Sequence, residues 1–546
     1  MNADLIIYGD AMFAATGKDD LPVAGGVAIS GDTIIAVDKK EELSRYLRAN
    51  TRLIKCGKNT LIMPAFNDGH QHLRMIVATY NGVPLRYVTS EEECVANAIA
   101  WEKEHPEYDW VYGGGWQYTH WKNKRPPTNK LLNEAFPNKP VCLADTDFHA
   151  VWLNDCALKE FGITKDSPDP KSTVVNSYPD GTPTGYVQEG LIIDIFERAI
   201  SSMETDSKLM KHNLINVLRE CNRYGLTGAS EMLASKPEWI DLYEEMAANN
   251  KLTCRISLTH DFWCEDYLKT ADELHARFGN KEANVYFYGI KLFFDGVGIG
   301  HTSWQVKPFN DRPDWSGEPI ILEEELHKET LKAISLGYHI HIHACGDKAV
   351  RKALDWWEEA QQKGLTKPEQ RYAITHNDTV DPEDIPRFAK LGVIASMQPD
   401  MLAPCLKWED NLYPLRYGEK LSQTAWPCRS FIDSGAVLAF STDSPVGLID
   451  PMMNIYRAVT RVYADGKPEG GWIPEQKISL SNALWAYTYG SAYQLGKEDF
   501  LGTLEVGKKA DIVVLNKNLF TVTPNEYLGT ESKLTILNGK EVYKNM

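Results

Sequence analysis

Residues 61–72 read LIMPAFNDGHQH, an apolar run that ends in two histidines one residue apart, His70 and His72. Read as a buried strand, the run carries both imidazoles at its C-terminal end. Alternation along a strand puts residues i and i+2 on one face. Two imidazoles on one face can grip an ion together, but two ligands alone make a poor metal site. The other ligands must come from elsewhere in the chain.

Seven later stretches read as further core strands: LTGASEM (226–232), TCRISLTH (253–260), YGIKLFFDG (288–296), YHIHIHACG (338–346), RYAITHND (371–378), GVIASMQP (392–399) and VLAFSTDSP (437–445). Helical stretches separate most of them. In DKAVRKALDWWEEAQQKG (347–364), for example, Val350, Leu354 and Trp357 recur at helical spacing. Eight strands, counting LIMPAFND, with intervening helices predict an α/β chain folded as a (β/α)8 TIM barrel.

The gap between the first and second strands is too long for one βα unit, so residues from about 81 to 206 are expected to form an inserted subdomain. Both ends of the chain are rich in short strands broken by turns, in ADLIIYGDAMF and GGVAISGDTIIAVD near the start and ADIVVLNKN and KLTILNGKEVYK near the end. They predict a small composite β-sandwich from residues 1–61 and 496–546, leaving 62–495 for the metal-dependent barrel.

The bulk composition fits this reading. The hydrophobic fraction, 43% of 546 residues, is ample for a large core. With 58 basic against 75 acidic residues the net charge is -17, which argues against nucleic acid or an anionic membrane as the main partner. The expected partners are a small-molecule substrate and, at most, a second copy of the chain as a homodimer. Ten scattered cysteines form no C-x-x-C pair, which reads as reduced thiols and a cytoplasmic setting. No signal peptide or membrane-length apolar run is evident.

Metal-capable side chains recur at the strand ends. His70 and His72 end the first strand, Lys291 lies in the fourth, His343 ends the fifth, His376 the sixth and Asp443 the eighth. In a barrel these ends converge on one face, where active sites are built. Four of only 14 histidines at such ends make chance a weak explanation. The set suits zinc or another divalent ion that favours nitrogen and oxygen. Blander readings stand beside this one. His339, His341 and His343 share a face, and any of them can be the ligand. Lys291 can be salt-bridged to Asp295, and Asp443 can be a turn residue before Pro445.

The order H-x-H, Lys, His, His, Asp resembles the amidohydrolase superfamily. The runs HIHIHACGDKAV, FAKLGVIASMQP, STDSPV, GWIPEQKISLSNAL and LGTLEVGKKADIVVL resemble its family 3 branch, which includes N-substituted formamide deformylase. The resemblance implies a metal-dependent hydrolase acting on a C–N bond other than a peptide bond, in an amide such as an N-formyl or N-acyl compound. It implies that His70, His72 and Asp443 hold one metal, that His343 and His376 hold a second, and that Lys291 bridges them as a carbamate. Asp443 would move the proton. A metal-dependent isomerase, lyase or decarboxylase on the same scaffold is the alternative, and a catalytically inactive ligand-binding barrel is the alternative of another class.

Four more residues are candidates for substrate binding. His149, in TDFHAVWLND, aligns with a family D-G-H run in which Phe148 replaces the glycine. Glu189, in PTGYVQEG, is expected to face the site. His301, in GIGHTSW, stands where many relatives carry arginine. Trp116, with Trp121, Trp152 and Trp304, suggests a partly aromatic pocket.

Overall fold

The structure is a computed structural model that describes residues 2–166, 173–264, 266–403 and 407–545. All eight expected core strands are present and lie side by side in chain order: β1 (Phe66–Asn67), β2 (Leu226–Glu231), β3 (Arg255–Asp261), β4 (Val285–Phe293), β5 (His339–Ala344), β6 (Tyr372–His376), β7 (Ile394–Met397) and β8 (Leu438–Phe440). Every neighbouring pair is parallel. The strands are buried almost throughout, as sheets covered by helices must be. The helix Asp347–Gln362 turns Val350, Ala353, Leu354 and Trp357 into the core, as its spacing predicts. The architecture is that of a TIM-barrel-like α/β fold.

The opening run differs from its reading in one respect. LIMPAFND is two strands, not one. Leu61–Pro64 pairs antiparallel with Ile512–Leu515 in the sheet of the termini, while Phe66–Asn67 is β1 of the barrel. Pro64 has no N–H to extend a ladder, and the chain changes partners there: Ala65 N–H donates to Asp511 O, and Phe66 N–H to Gly225 O. The first barrel strand is therefore short, and the histidines lie beyond it in a loop.

Both termini join in one mixed sheet, with Leu61–Pro64 between Ile512–Leu515 and Leu5–Met12. A buried ion pair ties this sheet to the barrel, Arg255 Nε lying 3.0 Å from Asp511 Oδ2. A separate six-stranded sheet spans residues 83 to 189, within the stretch expected to be inserted. No helix among the described residues is long and apolar enough to cross a membrane. The described cysteines are all free.

The inserted sheet corrects one reading. Trp116 does not face a ligand cavity. It is fully buried in the core of the insertion, stacked on Trp121 at 5.4 Å between ring centroids and set edge-on to Trp152 at 6.3 Å. Its indole N–H already donates to Leu143 O at 2.8 Å. Trp116→Ala should therefore act on stability, costing about 3–5 kcal/mol by loss of a buried aromatic. A lowered unfolding midpoint in denaturant, with unchanged KM in the protein that remains folded, is the expected outcome.

Candidate metal centre and substrate cavity

The two histidines reach the centre through the loop after β1, and that loop is held by the far end of the chain. Asp68 accepts hydrogen bonds from Thr442 N–H at 3.1 Å and from Thr442 Oγ1 at 2.6 Å. Asp443 N–H donates to His70 O at 2.8 Å, and His72 N–H to Ser444 O at 2.9 Å. His72 also bridges to Glu231 at the end of β2. The shared orientation of His70 and His72 thus comes from this loop seam rather than from strand alternation.

Four of the other five candidate ligands gather around His70. Asp443 Oδ1 lies 3.2 Å from His70 Nε2 and 3.3 Å from His72 Nε2. Lys291 Nζ lies 3.3 Å from His70 Nε2, and the His376 ring centroid is 5.4 Å from that of His70. His343 completes the set, 4.4 Å from His376 between ring centroids. On the other side of His70, Nδ1 lies 3.1 Å from Thr375 Oγ1 and 2.9 Å from His341 Nε2. A proton on Nδ1 shared with the Thr375 hydroxyl leaves the Nε2 lone pair aimed at the centre, the arrangement metal-bound histidines use. Asp443 and His376 both adopt positive φ, 53° and 77°. Such backbone is costly away from glycine and collects at functional sites.

The alternatives left open by the sequence now separate. Of the three histidines on the β5 face, His339 accepts from Arg371 N–H at 2.9 Å, His341 supports His70 from behind, and His343 faces the centre. Asp295 is not the partner of Lys291. Its carboxylate is taken by the N–H groups of Trp304, Cys345 and Gly346 at 2.8 to 3.0 Å. For the same reason Asp295 is a poor ligand, although it clusters with His343 and Cys345.

The electrostatics favour a cation. Burial pushes His70, His341, His343 and His376 well below the ordinary imidazole value, so they are neutral with free lone pairs. Burial likewise pushes Lys291 down to about 7, against the pull of Asp443. Burial alone would raise Asp443, but contact with His72 and the fields of His376 and Lys291 hold it below the ordinary carboxylate value. Asp443 Oδ1 and His72 Nδ1 are both buried without a well-formed hydrogen bond. A carboxylate oxygen facing neutral imidazole nitrogens is a donor set that fits a divalent ion.

Two lobes of a cavity, about 380 and 270 Å³, meet at this centre and share His149, His343, His376 and Asp443. The larger is walled by apolar side chains including Phe148, Ile192, Phe196, Trp263 and Phe293. The smaller has Arg86, His120, Asp378 and Asp400 in its wall. Much of the apolar roof comes from the helix Ile192–Ile200 of the insertion, whose sequence IIDIFERAI is strongly amphipathic. The tryptophans that line the lobes are Trp263 and Trp426, not Trp116, Trp121, Trp152 or Trp304, which are core residues outside both lobes.

His149 and Glu189 do face the centre. His149 Nδ1 lies 3.0 Å from Glu189 Oε2, and Glu189 Oε1 accepts from Thr302 Oγ1 at 2.6 Å. Burial opposes a charge on His149, but Glu189 outweighs it and raises the imidazole to about 9. Phe148 has φ 62°, which explains why glycine suits this position; here the ring packs against Phe196 at 5.7 Å. His301 is set apart. Its Nε2 lies 2.9 Å from Asp311 Oδ1, which also pairs with Arg416, and it lines neither lobe. Asp68, Glu231 and Thr375 were not singled out from sequence. Asp68 stands two residues before His70 and Glu231 ends a barrel strand, so both carried a readable signal; Thr375 carried none.

Comparison with known proteins agrees with this architecture. The chain is 28% identical over 490 residues to a putative amidohydrolase, YtcJ, of Bacillus subtilis, covering 89% of each. It is 24% identical over 506 residues to an N-substituted formamide deformylase of Arthrobacter pascens, covering 91% of this chain and 90% of the relative. An uncharacterized metal-dependent hydrolase from Pyrococcus horikoshii shares the fold, with a TM-score of 0.74 over 95% of this chain and 99% of that one at 24% identity. The amidohydrolase family pattern spans residues 58–543, and the chain belongs to that family.

Proposed function

We propose that this chain is a metal-dependent hydrolase that cleaves a C–N bond other than a peptide bond in a small amide, of the N-formyl or N-acyl kind. The observation that carries the proposal is Asp443 Oδ1 lying 3.2 Å from His70 Nε2 and 3.3 Å from His72 Nε2, with the buried rings of His343 and His376 beside them, at the wall where the two cavity lobes meet. His70, His72 and Asp443 would hold one ion, zinc being favoured by the ligand chemistry, and His343 and His376 a second. When bound, such an ion supplies Lewis acidity to the site. Lys291, buried and readily deprotonated, would bridge as a carbamate formed with CO2.

The remaining steps belong to the chain's own groups. Asp443 takes a proton from the attacking water and passes it to the leaving nitrogen. His149, held protonated by Glu189, donates a hydrogen bond to the scissile carbonyl oxygen. The apolar lobe excludes water and receives the larger substituent of the substrate. Residues 62–495 would be the catalytic barrel with its insertion at about 81–206, and residues 1–61 with 496–546 a composite β-sandwich. The free cysteines support a cytoplasmic setting.

A screen of N-formyl and N-acyl amines for release of amine and carboxylic acid tests the proposal. Turnover that consumes no water would replace it with isomerase or lyase chemistry. His72→Ala should lose bound metal and activity while the far-UV circular dichroism is unchanged, because the barrel core lies elsewhere. Asp443→Asn should lower kcat by at least about 10²-fold, the usual worth of a positioned proton acceptor. Lys291→Ala should lose one ion and most activity, and a short carboxylic acid added in solution should restore part of both. Full metal content in Lys291→Ala, measured by mass spectrometry, would exclude the bridge.

A further inference from the structure

Strand β3 ends in a second group of metal-capable side chains. His260 and Asp261 close the strand, and Cys264 follows in the next turn. One ligand atom from each lies within 4.8 Å of the others. Cys264 Sγ is 3.4 Å from Asp261 Oδ1, so thiol and carboxylate already sit side by side. His260 is only 2% exposed, and its Nδ1 lies 3.2 Å from Ala234 O. That contact requires the proton to be on Nδ1, because a carbonyl can only accept. The other nitrogen, Nε2, is buried and has no hydrogen-bond partner. An unpaired buried polar atom is costly and rare.

From this geometry we infer that His260, Asp261 and Cys264 form a second metal site, apart from the catalytic centre, for a zinc-like divalent ion. A backbone carbonyl that fixes the tautomer of a histidine is the usual support for a metal-bound imidazole. The combination of imidazole, carboxylate and thiol selects zinc or a similar borderline ion, since magnesium and calcium take oxygen ligands. Tetrahedral zinc with ligands at about 2.0–2.3 Å needs them closer than they now lie, a change within reach of side-chain rotation. Binding would release the Cys264 proton to solvent as the thiolate coordinates.

The position gives the ion a purpose. The turn between Asp261 and Cys264 carries Phe262 and Trp263. Phe262 N–H donates to Lys291 O at 3.3 Å, and Trp263 lines the apolar lobe while remaining 38% exposed. An ion clamping both ends of this turn would fix the wall of the substrate lobe beside the strand that carries Lys291.

Cobalt loading of the full chain tests the site, because a thiolate bound to Co²⁺ gives a near-ultraviolet charge-transfer band that imidazole and carboxylate ligands do not. The cobalt-loaded wild type should show this band. It should persist in Cys345→Ser, which alters the other cysteine near a candidate cluster, and disappear in Cys264→Ser together with one equivalent of metal. Cys264 is partly exposed and serine nearly isosteric, so the variant should fold; His260→Gln should give the same loss. A wild type without the band, or a band that survives Cys264→Ser, overturns the inference. Neither readout depends on catalytic turnover, so failure here is separable from failure of the hydrolase proposal.

Discussion

The carboxylate of Asp68 is the hinge of the structure. It is fully buried and accepts two hydrogen bonds from Thr442, which lies 374 residues further along the chain, and one from His70 N–H. These bonds stand where a barrel would otherwise need a ladder between its first and last strands. β1 is two residues long and β8 three, too short to close the seam by themselves. Asp68, with the Asp443 to His70 and His72 to Ser444 backbone bonds, brings the two ends of the chain together. The same bonds deliver His70, His72 and Asp443 to one point. Burial pushes the Asp68 carboxyl up to about 7, which is the cost of enclosing it.

Closing the barrel in this way removes water from the centre, and the charges there follow. Desolvation lowers the basicity of every buried imidazole whose shift is resolved except His149, which keeps its proton because Glu189 stands beside it. The centre is therefore divided. One side offers lone pairs and a carboxylate, suited to a cation. The other offers a protonated imidazole, suited to a developing oxyanion. A substrate carbonyl lying between the two would meet both.

The insertion supplies the shape that the barrel lacks. Its core gathers Trp101, Trp110, Trp116, Trp121 and Trp152, and Ala78, Met75 and Val446 from outside the insertion pack with it. It presents the loop of Asp147 to His149 and the helix Ile192–Ile200 to the strand ends, and these roof the larger lobe. The two lobes meet where the insertion lands, sharing Asp147 and His149 of the insertion with His343, His376 and Asp443 of the barrel face.

The sequence by itself determined the barrel and its strand order, because eight buried strands with intervening helices are written in local periodicity. It also marked the strand ends that supply much of the centre, because parallel strands bring their C-terminal ends to one face whatever the details of packing. Tertiary structure decided what local pattern cannot encode. Trp116 and Trp263 are both aromatic residues in apolar surroundings, and only the fold shows that one fills a core and the other walls a cavity. His301 reads as a site residue until Asp311 and Arg416 claim it. Lys291 and Asp295 share a strand end, yet three backbone N–H groups from other segments take the carboxylate and leave the lysine beside His70. The physical reason is common to all of these. Periodicity states that a side chain is buried, whereas its partner is set by segments tens to hundreds of residues away.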